Sequence, residues 1–304
     1  MRGLEWAFHS QFFILCFQKN LEAHMLKLRV LIENSPPQSG LLEAEHGLSF
    51  WVELDSLSLI FDTGESGSFV ANARKLGIEL ARAQALVVSH GHYDHGGGLR
   101  ALAEEARYRG PLWTGPGFFD PKWSEESPKP RFLGLDVDRD FLESHGIEHC
   151  VLESSGAGSH REILPGIHIV GGFPRLHPEE TIPARFSVER QGRRQADSFS
   201  DEICVVIDMA QGLAVLVGCA HPGLMNMLDT VRNIFQKPLC AVFGGSHLVE
   251  ADEARMLKTI DYLKTCGARE LALGHCTGTA ASELLARDLP QFQPLCTGAF
   301  FNLA

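Results

Sequence analysis

Apolar residues fall in short blocks with two different spacings. Residues 26–32 (Leu-Lys-Leu-Arg-Val-Leu-Ile) alternate towards a period of two, which predicts a strand with one face on a core. Gly47–Val52 and Leu57–Phe61 read as two more strands parted by a turn at Asp55-Ser56, and residues 68–77 as a short helix. Ala85-Leu86-Val87-Val88 is an apolar run that stops at a polar turn, as a buried strand does, and helical spacing resumes from Leu99 to Ala106. The second half repeats one theme. Ile203–Ile207 and Leu213–Val217 predict a hairpin around Gln211-Gly212, followed by a helix at Leu224–Phe235. A strand at Leu239–Phe243, a helix over 251–265, a strand at Leu271–Leu273 and a helix over 280–288 complete the pattern, which is that of an α/β chain.

Two stretches break this rhythm. Residues 107–165 show few periodic elements and many prolines and glycines, and carry Trp113, Phe118, Phe119, Trp123 and Phe132. They read as an insertion, either a pocket wall or lid beside a site or a satellite cluster of structural aromatics. Residues 1–24 contain the apolar run Phe12–Phe17, too short to span a membrane and lacking the basic start and cleavage site of a signal peptide. The expected organisation is an N-terminal extension at 1–24, either non-native or an accessory, and a main domain at 25–304 with the insertion inside it.

The chemistry concentrates where Ala85–Val88 ends. Ser89-His90-Gly91-His92-Tyr93-Asp94-His95-Gly96-Gly97-Gly98 places three histidines and an aspartate within six residues. His90 and His92, two apart on an extended segment, point the same way. Paired imidazoles suit zinc or iron. Asp94 and His95 reach a second metal or offer a base beside the first, and the three glycines let the backbone turn sharply and approach the metals closely. The same event recurs: His221, His247 and His275 each follow the end of an apolar strand and precede a helix. Ligand sites of α/β sheets gather at such strand ends, so these histidines are expected to converge on one edge.

Composition narrows the function. The formal net charge is −11, which opposes a nucleic-acid-binding face, since that needs an excess of Lys and Arg. Fourteen histidines fit a metal protein. The eight cysteines are dispersed, with no Cys-x-x-Cys pair; this suits a reducing cytoplasm, with Cys204 and Cys240 as packed thiols.

The run from His90 to His95 resembles, residue for residue, the His-x-His-x-Asp-His signature of the metallo-β-lactamase superfamily. That resemblance implies an αββα four-layer sandwich, with two mixed sheets face to face, helices outside and metals at one edge. It implies His90 and His92 as ligands of one metal, Asp94 and His95 of a second, and His275 as the C-terminal metal histidine. His221 completes the first metal or lies between the two; His247 is assigned to hydrogen bonding behind the ligands or to substrate contact. One or two divalent ions follow, zinc by default, with iron and manganese sharing these ligands. The chain departs from the signature in two places. It has no mid-chain Gly-His-Thr-Pro-Gly-like segment, and Gly218-Cys219 stands where a Gly-Asp pair usually supplies the bridging aspartate. Asp201 and Glu202 are candidates for the lost carboxylate, or else an exposed acidic turn.

A second set of motifs is more specific. Glu33-Asn34, Ala44-Glu45-His46-Gly47-Leu48-Ser49, Phe61-Asp62-Thr63-Gly64, Gly218-Cys219-Ala220-His221-Pro222-Gly223, Gly244-Gly245-Ser246-His247-Leu248 and His275-Cys276-Thr277-Gly278 resemble the branch related to the dihydropterin–ribofuranosylaminobenzene phosphate synthases of methanopterin biosynthesis. That resemblance implies a metal that stabilises a diphosphate leaving group, aromatics that stack a pterin, and Arg175 paired with phosphate. The alternatives are a metal-dependent hydrolase of a phosphoester or thioester, with Asp94 orienting the attacking water, and a ligand-binding protein that keeps the fold. The expected partner is a small molecule, phosphorylated or pterin-like, with neither nucleic acid nor membrane; a homo-oligomer is compatible with the sequence.

Overall fold

The apolar blocks assemble into two seven-stranded sheets and one small sheet, in a computed structural model that describes residues 24–304 except 38, 39, 127, 154, 155 and 157. The expectation for residues 1–24 therefore lies, His24 apart, outside the described residues. One large sheet runs Phe300–Leu303, Leu26–Ile32, Ser49–Leu54, Leu57–Phe61, Ala85–Val87, Leu112–Thr114, His149–Val151. The other runs Phe292–Pro294, Glu270–Gly274, Leu239–Gly245, Gly212–Val217, Ile203–Met209, Ile167–Gly171, Ser159–Leu164. Each sheet mixes parallel and antiparallel pairs.

Three apolar layers account for the alternation in the sequence. Leu26, Leu28, Val30, Phe50, Val52 and Phe61 of the first sheet meet Val205, Ile207, Leu216, Ala241 and Phe243 of the second in one buried core. The opposite face of the first sheet, with Trp51, Ile60, Leu86 and Val88, lies under the helix Ser68–Lys75 and the helix Leu99–Glu104. The opposite face of the second sheet, with Val206, Val215, Val242 and Leu271, is covered by Leu224–Phe235, Glu253–Thr265 and Thr279–Asp288. Strands buried on both faces carry apolar residues throughout, which is why Ile203–Ile207 and Leu213–Val217 read as continuous runs. The architecture is the αββα sandwich. Cys204 and Cys240 pack in the outer and inner layers respectively. No helix among the described residues is long and apolar enough to cross a membrane.

The span 107–165 is woven into this frame. Leu112–Thr114 and His149–Val151 extend the first sheet in parallel, and Ser159–Leu164 borders the second. Leu112–Thr114 and His149–Val151 have only three residues each, too few to show a period, so the sequence pattern does not register them. Between them, Lys122–Ser124 and Arg131–Phe132 join Phe186–Arg190 and Arg193–Ala196 in the four-stranded sheet. This small sheet brings Phe186 and Leu133 together with Phe199 over the histidine-bearing edge.

Parallel pairing brings that edge into being. Val217 is level with Gly244 and Gly245 with Gly274, so the turns carrying Cys219–His221, His247 and His275 leave the second sheet side by side. In the first sheet Phe61 is level with Val87, which sets Asp62 beside Ser89-His90.

Candidate metal centre

The loop after Ala85–Val87 does not turn on its glycines as expected. Tyr93–Gly96 form one helical turn, and Gly97 and Gly98 have ordinary right-handed φ values of −66° and −76°. What they permit is close backbone approach: a Cβ at Gly97 would stand 2.3 Å from the carbonyl oxygen of Glu65, and one at Gly98 2.3 Å from that of Thr63. The loop thus presses against the segment after Leu57–Phe61. Left-handed backbone occurs instead at non-glycine residues of the site, namely Asp62, Ala220, His247 and His275. Such residues cost about 1–3 kcal/mol each and gather where geometry is imposed by function.

Two groups of donor atoms result. Ligating atoms of Asp94, His95, Cys219 and His275 all lie within 4.8 Å of one another, as do those of His90, Cys219 and His221. His95 Nε2 is 3.1 Å from His275 Nε2 and 3.2 Å from Cys219 Sγ, and Asp94 Oδ2 is 3.3 Å from His275 Nε2. The His92 ring centroid lies 4.6 Å from that of His90 and 5.2 Å from that of His221.

Behind these atoms a layer of polar side chains fixes each ring. Asp62 accepts from Ser89 N (2.6 Å), Ser89 Oγ (2.9 Å) and His95 Nδ1 (2.7 Å). With its proton given to Asp62, the Ser89 hydroxyl accepts from His90 Nδ1 at 3.0 Å. Asn34 Oδ1 accepts from His275 Nδ1 at 2.9 Å, and Asn34 Nδ2 donates to His46 Nδ1 at 3.3 Å. Each bond to an Nδ1 leaves the Nε2 of His90, His95 and His275 free to face the centre, the arrangement by which proteins orient metal-binding imidazoles. Glu202 accepts from Ala220 N (2.6 Å) and His221 N (2.9 Å), which anchors the turn that presents Cys219 and His221. Buried Lys122 bridges Asp197 and Asp201 at 2.7 and 2.9 Å, and Asp201 accepts from Gly91 N at 2.8 Å.

The unsatisfied atoms fit a cation. His90 Nε2 and both ring nitrogens of His221 are buried without a hydrogen-bond partner. Burying such atoms unpaired costs about 1–3 kcal/mol each and calls for an explanation. Burial also holds His90, His92 and His221 well below the usual histidine pKa, so they present neutral, ligating nitrogens. For Asp94 burial opposes ionisation, but His95, His275 and His46 override it and hold the carboxyl well below its usual range. Neutral imidazoles with one ionised carboxylate suit zinc, iron or manganese alike.

His90, His95, Asp94, His221 and His275 thus come together, with His92 beside them. His247 lies near, its ring 4.3 Å from that of His221 and its Nε2 3.7 Å from Glu250, outside both donor groups. Arg175 does not face the centre. Its Nη1 donates to the carbonyls of Pro222 (2.7 Å) and Glu180 (3.3 Å) and so braces the Pro222 turn. Asp201 and Glu202 form no exposed turn and join neither donor group; both are buried behind the ligands. The insertion's aromatics also stand apart. Phe118 is in the outer core with Phe119 against it, and Trp123 packs on Phe132. Asp62, Ser89, Lys122 and Asn34 carry no metal-ligand spacing in the sequence; the one local signal is that Asp62 is a polar residue directly closing an apolar strand.

The centre opens into a cleft of about 230 Å³ walled by His46, Tyr93, Arg131, Leu133, Arg185, Phe186, His247 and Val249. A larger groove, about 890 Å³ beside Arg29, Leu42 and Phe300, is lined by no histidine or carboxylate among the described residues.

Comparison with known proteins agrees with this geometry. Residues 42–159 match the metallo-beta-lactamase superfamily. The chain is 28% identical to the 7,8-dihydropterin-6-methyl-4-(beta-D-ribofuranosyl)-aminobenzene-5'-phosphate synthase of Methanocaldococcus jannaschii, over 90% of this chain and 95% of that one. The crystal structure of Tm1679, a metal-dependent hydrolase of the beta-lactamase superfamily, superposes with a TM-score of 0.79 at 30% identity, covering 92% of this chain and 99% of that one. Zn(2+)-bound PqqB from Methylobacterium extorquens shares the fold at a TM-score of 0.56 and 11% identity, over 91% of this chain and 100% of that one. By sequence, architecture and the convergence of its histidines, the chain belongs to the metallo-β-lactamase superfamily.

Proposed function

We propose that this chain is a metal-dependent enzyme that breaks a bond to a phosphate or diphosphate group of a small molecule, with water or a second organic nucleophile as acceptor. The observation that carries the reading is the set of buried, unpartnered nitrogens on His90 and His221 beside the ionised Asp94. His90, His92 and His221 would hold one divalent ion, and Asp94, His95 and His275 a second, zinc being the default. A bound ion supplies Lewis acidity, lowering the pKa of water towards about 7 or stabilising a departing phosphate oxygen.

The chain's own groups set the rest. His46 receives a hydrogen bond at Nδ1 from Asn34, so its proton sits on Nε2, 3.2 Å from Asp94 Oδ2 and at the cleft mouth. From there it can be passed to a leaving oxygen. Arg131 and Arg185 line the same mouth; Arg185 is neutralised by Glu250 at 2.8 Å, whereas Arg131 pairs with no carboxylate among the described residues. Arg131 is thus the cation available to an anionic substrate. Tyr93 and Phe186 offer flat apolar walls. Phe199 stacks on His221 at 3.7 Å and helps exclude water from the buried side. The net charge argues for a small-molecule substrate rather than nucleic acid, and the dispersed cysteines for the cytoplasm.

Similarity to the M. jannaschii synthase favours a pterin diphosphate over other phosphorylated substrates. The test is to reconstitute the protein with zinc or manganese and supply bis(p-nitrophenyl) phosphate or, separately, a dihydropterin methyl diphosphate with an aminobenzene ribonucleotide. Phosphodiester cleavage or diphosphate release that disappears in H92A supports the reading. Tight substrate binding by the metal-loaded protein without turnover refutes it in favour of a binding protein.

A further inference from the structure

We infer that the thiol of Cys219, as thiolate, is a metal ligand shared by both positions of the centre, standing in for the bridging carboxylate. The inference rests on the metal-dependent reading above. It starts from position: among the described residues, Cys219 Sγ is the single donor common to the Asp94–His95–His275 group and the His90–His221 group. A donor that belongs to two adjoining groups occupies the place of a bridge.

Three further observations agree. Among the described residues no carboxylate is common to the two donor groups. Asp62, Asp201 and Glu202 are committed to Ser89 and His95, to Lys122 and Gly91 N, and to the amides of Ala220 and His221, respectively. Next, the local backbone is built to present this sulfur. Ala220 is left-handed, and Glu202 grips the two amides that follow Cys219, so the side chains of Cys219 and His221 project to one side of a fixed turn. A Cβ at Gly218 would stand 2.1 Å from Ser89 Oγ, so glycine there lets the turn close against the His90 loop. Last, the neighbouring thiol is otherwise engaged. Cys276 Sγ donates to the Cys219 carbonyl at 3.4 Å and accepts from His247 N at 3.3 Å, and it joins neither donor group.

Charge gives the physical reason for a thiolate. Two divalent ions bring four positive charges into a buried site where, among the described residues, Asp94 is the one carboxylate of either donor group, the remaining donors being imidazoles and this thiol. Ionised Cys219 adds a second anion between the two ions, where it counters their mutual repulsion. Binding displaces the thiol proton to solvent, since a coordinating thiol is deprotonated outright. Sulfur also biases the site towards zinc over manganese, because soft thiolate donors favour the softer ion.

Cobalt(II) tests this without reference to turnover. The full-length protein is stripped of metal and titrated with cobalt(II), following the visible ligand-field bands and the near-ultraviolet sulfur-to-cobalt charge-transfer band. The expected result is two cobalt ions per chain, with the charge-transfer band growing through both equivalents. C219D, which restores a carboxylate, keeps the visible bands and loses the near-ultraviolet band; C276S keeps both. Visible bands without a charge-transfer band in the wild type overturn the Cys219 assignment and leave the metal centre standing. A charge-transfer band that saturates at the first equivalent overturns the bridge, and one lost in C276S but kept in C219D overturns the choice of cysteine. Absence of both bands in folded wild-type protein refutes the metal reading itself.

Discussion

Asp62 gives the sharpest test of how the centre is prepared for metal. It is fully buried and takes three hydrogen bonds, from Ser89 N, Ser89 Oγ and His95 Nδ1, at 2.6, 2.9 and 2.7 Å. Asp62→Asn keeps the size and the acceptor for Ser89 N but turns an N–H towards His95 Nδ1. The ring then retains that contact only by moving its proton to Nε2, the atom that faces His275 and Cys219. Metal binding must reverse this and forfeit a hydrogen bond to a charged group, worth about 1.5–3 kcal/mol. At about 1.4 kcal/mol per decade, affinity should fall roughly 10–100-fold. Competition of zinc between the protein and a chromophoric chelator at neutral pH measures this directly, with circular dichroism as the check on folding. A folded D62N protein whose zinc affinity stays within about twofold of wild type would falsify the view that Asp62 fixes the His95 tautomer.

Lys122→Met should destabilise the protein by about 3–5 kcal/mol in urea unfolding, because it strands the buried carboxylates of Asp197 and Asp201; a loss below about 1 kcal/mol would mean that the pair gains little from the lysine. The metal-free protein should lose stability as pH falls from about 6.5 towards 5. Burial holds His90, His92 and His221 well below their ordinary pKa and brings His247 down to about 4, so over that window the unfolded chain binds more protons than the folded one. Each contributes a slope of about 1.4 kcal/mol per pH unit. His95 acts in the opposite sense and above this window: burial opposes its charge, but Asp62 and Asp94 outweigh that and raise its pKa, so its contribution is fully present below about pH 6.5 and is lost as pH rises. A flat urea midpoint between about pH 7 and 5 would contradict these assignments.

The fold and the core of the centre were legible in the sequence because both rest on local pattern. An apolar run buried on both faces, ending in histidine and followed by a helix, specifies a strand, its layer and the edge at which its ligand emerges. Four such units, ending in His90/His92, His221, His247 and His275, predict an α/β chain whose histidines meet at one edge, and the resemblance of His90–His95 to the metallo-β-lactamase signature adds the sandwich. Short strands such as Leu112–Thr114 and His149–Val151 carry too few residues for a period, and only their parallel pairing with Ala85–Val87 assigns them to a sheet. Tertiary structure alone decided what the buried polar residues do. Asp62, Asn34, Glu202 and Lys122 act on groups 12 to 241 positions away, for instance Asn34 on His46 and on His275, and no local spacing encodes such pairs. The same holds for Arg175, whose charge is spent on the Pro222 carbonyl 47 positions along the chain. Which nitrogen of each imidazole faces the centre, and which sulfur lies between the two donor groups, follow from these long-range hydrogen bonds, because a side chain's role is set by the atoms packed against it rather than by its neighbours in sequence.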